Sequence, residues 1–181
     1  MSDTQWPRFE VFQQEQPGRP HLGAGSVHAP DAELALLNAR DVFVRRPPCV
    51  SLWVVPADAI TGITAEAVTA GEWPESPETP GGPEEPYLVF LKRLARGTHE
   101  HAGEVLAGSP VEALRLAVDQ AGAAPGLVYW VCPRRSLLAS EAEDRASFFR
   151  PAEDKPYRDQ AYYHTDSLLR EVRRGSGTRP A

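Results

Sequence analysis

The chain repeats itself. Phe9-Glu10-Val11-Phe12 returns 78 positions later as Tyr87-Leu88-Val89-Phe90, and at the same offset His21 meets His99, Gly25 meets Gly103 and Val27 meets Val105. Ala35-Leu36 meets Ala113-Leu114, Ala39 meets Ala117 and Asp41 meets Asp119. Leu52-Trp53-Val54-Val55-Pro56 returns as Tyr129-Trp130-Val131-Cys132-Pro133, one residue short of that offset, so the match survives a single deletion before the last strand. Whatever one copy folds into, the other must accommodate. Both copies keep core positions. Neither keeps a set of acids, bases and nucleophiles, which points to a scaffold or interaction protein more than to a catalyst.

Periodicity gives each copy the same order of elements. Residues 8–13 alternate as a short strand, and Leu22 to His28 reads as a second, glycine-interrupted strand. A helix follows. In the second copy its start is explicit: Ser109 at the N-cap, Pro110 at the first helical position and Glu112 completing a capping box. Asp31 caps the first copy by the same logic. Ala35, Leu36, Ala39, Val42 and Phe43 form one apolar stripe, which Ala113, Leu114, Ala117 and Ala121 repeat with smaller residues. Third strands run over Val50–Val55 and Leu127–Cys132, each closed by a proline. The expected fold is α+β: two tandem strand-strand-helix-strand repeats with mainly antiparallel sheets, related by a pseudo-two-fold. The first strand of each repeat is expected in the middle, antiparallel to both others, with the helix on one face. The two units then pair their sheets or stack them.

Composition divides the rest. The repeats span 6–63 and 86–139. Between them, residues 64–85 are rich in Pro, Gly, Glu and Thr and read as an extended, mobile linker, interrupted by Trp73 as either an incidental aromatic or a docking anchor. Residues 61–86 hold six Glu and no Lys or Arg. Removing them from the 25 acidic residues leaves 19, against 19 Lys and Arg, so the acidity behind the net charge of −6 belongs to one segment. Nucleic acid is not an expected partner, because phosphate neutralisation needs a basic excess. No apolar run approaches the roughly 20 residues of a membrane span, and the start of the chain lacks signal-peptide character, so the expected location is cytoplasmic. Cys49 and Cys132 are the only cysteines and are expected as reduced, partly buried thiols. An extension over residues 140–172 follows the second repeat, with a short helix expected over Ser140 to Ala146 and an aromatic stretch after it. Residues 173–181 read as a disordered tail.

The candidates for chemistry are few. His99-Glu100-His101 places two imidazoles on one strand face, where they either share a metal ion or are polar residues entering a strand; no third ligand follows by spacing. His28 and Ser26 share a face, but no oxyanion-hole signature accompanies them, and the second copy has Glu104 and Leu106 there. Nucleotide-binding and nucleophile-elbow motifs are missing. No catalytic and no metal-binding residue is assigned, and no cofactor is expected. Trp53 and Trp130 occupy equivalent strand positions, as core aromatics or as interface anchors. Arg40, Arg45 and Arg46 lie on or beyond the polar face of the first helix, as solvated charge or as a docking surface for an acidic partner.

A set of motifs then becomes specific in combination. Trp6-Pro7, Glu10-Val11-Phe12, Gly25-Ser26-Val27-His28-Ala29, Asp31, Ala35-Leu36, Asn38-Ala39-Arg40-Asp41, Arg45-Arg46 and Ser51-Leu52-Trp53-Val54-Val55 resemble the PaaB family, the small B subunits of ring-1,2-phenylacetyl-CoA epoxidases. Phe148-Phe149, Pro151-Ala152, Lys155, Tyr157-Arg158 and Tyr162-Tyr163 resemble that family's tail. The family subunit is a single copy whose tail directly follows the Trp-Val-Val strand. Here the tail follows the more divergent second copy, so the chain resembles a fused, diverged pair. The resemblance implies a noncatalytic subunit without a cofactor of its own. It would bridge a di-iron A subunit and a structural C subunit, with a flavin and iron–sulfur reductase supplying electrons. From their residue chemistry, partner contacts are expected through Arg40, Arg45, Arg46, Trp53, Phe149, Lys155, Tyr157, Arg158, Tyr162 and Tyr163. When isolated, the chain is expected to be a monomeric pseudo-dimer. The alternative readings are a stand-alone small-molecule-binding or acyl-CoA-acting enzyme on a duplicated α+β fold, and an adaptor for another oxygenase.

Overall fold

The computed structural model describes residues 6–44, 49–75, 83–122 and 124–153. In chain order the elements are β1 (Arg8–Gln14), β2 (Leu22–His28), α1 (Ala32–Phe43), β3 (Ser51–Pro56), β4 (Thr61–Thr64) and α2 (Ala65–Ala70). They continue as β5 (Glu85–Lys92), β6 (Glu100–Ala107), α3 (Pro110–Ala121), β7 (Val128–Pro133), β8 (Leu138–Ala139) and α4 (Arg145–Glu153). β1 lies between β2 and β3 and is antiparallel to both; β5 lies in the same way between β6 and β7. The fold is α+β with a mainly antiparallel sheet, as the periodicity implied.

Both hairpins slip register at matching places, between Val11 and Phe12 and between Val89 and Phe90. Opposite each slip stands a glycine at positive φ, Gly25 at 140° and Gly103 at 132°. These are bulges, which need a backbone that L side chains rarely adopt and which bend a strand and increase its twist.

The eight strands run in the order β4-β7-β5-β6-β2-β1-β3-β8. A flat sheet of that order is impossible. β3 and β4 would lie six spacings apart, roughly 29 Å. Yet Pro56 ends one and Thr61 begins the other, and five residues reach at most ~18 Å. Likewise β1 and β5 would stand about 14 Å apart, but the Phe12 and Phe90 rings stack at 4.0 Å. The sheet therefore curls so that its two halves face each other. Each half also takes an edge strand from chain that follows the other half: β4 pairs with β7, and β8 with β3.

Strand alternation sorts the core into three layers. Phe9, Val11, Leu52 and Val54 pack beneath α1 with Ala35, Leu36 and Ala39. Tyr87, Val89, Leu91, Tyr129 and Val131 pack beneath α3 with Ala113, Leu114 and Ala117. The other faces meet in the middle, where Phe12, Val55, Leu88, Phe90 and Cys132 join Trp53 and Trp130. Cys49 and Cys132 are buried free thiols in different layers. The caps form as read: Asp31 accepts from the Leu34 amide at 2.8 Å, and Ser109 from Glu112 at 3.2 Å. The reciprocal bond of the second cap reaches the Gly108 amide, at 2.9 Å.

Four expectations need correction. Residues 64–85 are not linker throughout. Thr61–Thr64 is a strand because β7 offers it an edge, and Ala65–Ala70 is a helix capped by Thr64 and closed by Gly71 in the left-handed conformation. Trp73 packs against the second core, with the Arg115 guanidinium over its ring at 5.2 Å. Val42 faces outward at 43% exposure rather than joining the stripe. The helix expected over 140–146 instead starts at Arg145, and its Phe149 is a core residue at 7% exposure. Residues 76–82, most of the aromatic tail and the stretch 173–181 lie outside the described residues.

Candidate interaction surface and the inner histidine layer

The sheet halves join at a short seam. β2 meets β6 through the single pair Leu22–Glu100. Two backbone hydrogen bonds flank it, from Gly23 N to His99 O at 2.7 Å and from His101 N to His21 O at 2.9 Å. The central pair joins positions related by the 78-residue offset, and the hydrogen bonds on either side of it link each position to the residue two before its own counterpart, Gly23 to His99 and His101 to His21. Gly23 leaves room for the close approach: a Cβ there would stand 2.6 Å from the Thr98 hydroxyl, which itself donates to Gly23 O and would have to turn away.

From this seam three imidazoles enter the inner layer. His21 stacks on Trp53 at 3.6 Å, and its Nε2 lies 3.0 Å from Ser51 Oγ. His99 stacks on Trp130 at 3.4 Å. His101 sits edge-on to Trp53 at 5.0 Å and 5.6 Å from Phe90. The Nε2 atoms of His99 and His101 are buried without a hydrogen-bond partner. Burial disfavours the charged ring, so His21 and His99 are pushed down to about 4, and His101 is also lowered. The two histidines considered as a metal pair thus pack on tryptophans from opposite halves. Among the described residues no three His, Cys, Asp or Glu side chains converge as a metal cluster. The Ser51–His21 pair has a hydroxyl and an imidazole in contact, but the ring is held by the face of Trp53 and protonates only well below neutral pH. Ser26 and His28 are both exposed.

The expected partner-contact residues divide. Trp53 is part of the inner layer, its faces taken by histidine. Phe149 is buried against the first core. Arg40 is neither free charge nor open surface: it pairs with Asp41 at 3.2 Å and lies over the Phe148 ring at 5.2 Å, tying α1 to α4. Its guanidinium also donates to Phe148 O at 3.4 Å. Arg45, Arg46, Lys155, Tyr157, Arg158, Tyr162 and Tyr163 lie outside the described residues.

The structure adds a surface that the sequence reading missed. Leu34, Leu37 and Val42 on α1 are 37%, 40% and 43% exposed. Their equivalents on α3, at the 78-residue offset, are Glu112, Arg115 and Gln120, also exposed. Comparing outward positions of the two copies, rather than their shared core, was the signal that could have found it.

The fold and site define an interlocked α+β protein whose aromatic and imidazole groups are used in packing, with an apolar outer face on one of two matched helices. A family model described as phenylacetic acid degradation B, PaaB, matches residues 5–74 and 85–168, and the chain belongs to that family. It is similar to the Escherichia coli (strain K12) protein named as the B component of 1,2-phenylacetyl-CoA epoxidase, at 44% identity over 66 residues, which are 36% of this chain and 70% of that relative. No solved structure matches the chain. No helix among the described residues is long and apolar enough to cross a membrane.

Proposed function

We propose that the chain is a noncatalytic bridging subunit of a phenylacetyl-CoA epoxidase-like oxygenase in phenylacetate degradation. Its partners in this reading are a catalytic di-iron A subunit and a structural C subunit, and the assembly works in the cytoplasm. Membership of the PaaB family supports the complex. The observation that carries the bridging role is the apolar outer face of α1. Leu34, Leu37 and Val42 occupy positions that α3 fills with charged and polar residues; Leu34 and Leu37 lie one turn apart, and apolar side chains shown together to solvent mark a surface that something else covers. The inner layer supports the same reading, because its imidazoles are stacked on indoles rather than aligned on a reacting group.

The two units act as a fused pair: the seam is centred on Leu22 and Glu100, which correspond in the two copies, and each half lends the other an edge strand. The isolated chain is then a monomer in which fusion has replaced dimerisation. Reconstitution tests the proposal. The purified chain alone should not consume phenylacetyl-CoA, and should co-purify with the A and C subunits as a defined complex. Turnover by the chain alone, or failure to join those subunits when all are folded, would contradict it.

A further inference from the structure

We infer that the β2–β6 seam is a pH-responsive joint, which mild acid opens locally while the sheet on either side stays paired. The same three residues build the seam twice. His21, His99 and His101 supply three of the four backbone groups in its two hydrogen bonds, and their side chains fill the space beneath it, His21 and His99 stacked on Trp53 and Trp130 and His101 edge-on to Trp53. The joint rests on one residue pair, whereas β5 and β6 pair over seven. It is the thinnest connection in the sheet between the halves and the one richest in titratable rings.

The surroundings oppose a second proton on these rings. Nε2 of His99 and of His101 faces no acceptor, so a proton added there would be buried without a partner. Lys92 on β5 opposes charging of His99, and His101 opposes charging of His21. Around His101, Glu104 and a hydrogen bond with the Gly103 backbone favour the charged ring, while Arg134 opposes it and pairs with Glu104. Burial outweighs these contributions for all three. Glu100 lies between the two imidazoles in sequence but on the other face of the strand.

The sign follows. A ring whose native value lies below its unfolded value near 6.5 stabilises the closed seam fully above that pH. The contribution fades as pH falls from 6.5 towards about 4. Each such ring raises the opening constant on the order of ten- to a hundredfold across that window.

Amide hydrogen exchange on the full chain, followed residue by residue by NMR from pH 7 to 4.5 and corrected for intrinsic rates, reads this directly. The Gly23 and His101 amides should lose protection at least tenfold more than amides of β5 and β7. A His99→Gln/His101→Gln variant, which leaves only His21 to titrate, should shrink the difference at least tenfold. Should that variant not fold, the ring titrations of the parent chain decide: native values well below 6.5 that rise when the seam opens support the joint. Rings titrating at ordinary values with seam protection unchanged would overturn it, and so would protection lost evenly along the whole sheet.

Discussion

The two outer helices are the most instructive pair in the molecule. α1 and α3 each have twelve residues, begin at a side-chain cap and bury an Ala-Leu pair followed three residues later by Ala. Facing inward they are the same helix. Facing outward, one shows leucines and the other glutamate and arginine. The core dictates the inward set because a packed layer punishes any change of volume. No such constraint acts on the outward set, so its chemistry reports what lies outside each helix. The contrast separates what the fold requires from what its use requires.

The largest effect should come from the layer both halves share. Phe12 is 1% exposed and stacked on Phe90; Phe12→Ala should cost about 3–5 kcal/mol in denaturant unfolding. The whole transition should shift as one, because the ring belongs to both halves. Two separate transitions, with one unmoved, would break the picture of an interlocked unit. A smaller effect should distinguish the two bulges. Gly25 and Gly103 share a positive φ, so alanine strains both by roughly 1–2 kcal/mol. At Gly25 the new Cβ also meets the Phe43 ring at 2.8 Å, whereas at Gly103 nothing lies within 4 Å. Gly25→Ala should therefore cost about 1–3 kcal/mol more, and equal losses would show that Phe43 yields freely. The smallest effect should be symmetric: Asp31→Ala and Ser109→Ala each remove one cap and about 1 kcal/mol by thermal melting. A much larger loss at one of them would show that the matched helices are not equally supported.

Much of the fold was legible because its signals are local. Alternation over 8–13 and 22–28, the Asp31 and Ser109 caps and the Ala-Leu stripe each identify an element without reference to another. β4 was not legible, since Thr61-Gly62-Ile63-Thr64 becomes a strand only through the edge of β7. Gly62 fits that edge because it leaves room for Trp130, whose ring a Cβ would meet at 2.6 Å. The six-residue α2 is too short to declare itself by periodicity. Phe149 gave the opposite difficulty. Its segment lacks a core-like pattern, and it is buried because α4 docks on α1 through Arg40 and Phe148. The histidine–tryptophan stacks were hidden for a third reason: they join residues 30 or more positions apart, which reach each other across the middle strand of each half.

The most direct test of the account exchanges the outward chemistry of one helix for that of the other. Leu34→Glu combined with Leu37→Arg gives α1 the residues found at the equivalent sites of α3, at positions already 37% and 40% exposed. Arg115→Leu on α3 serves as the reciprocal control. Capture of the A and C subunits by each variant should be measured beside its unfolding midpoint. The account predicts that the α1 variant keeps its midpoint and loses at least tenfold in affinity, about 1.4 kcal/mol, while the α3 control binds like the parent chain. Unchanged capture by a folded α1 variant would contradict it.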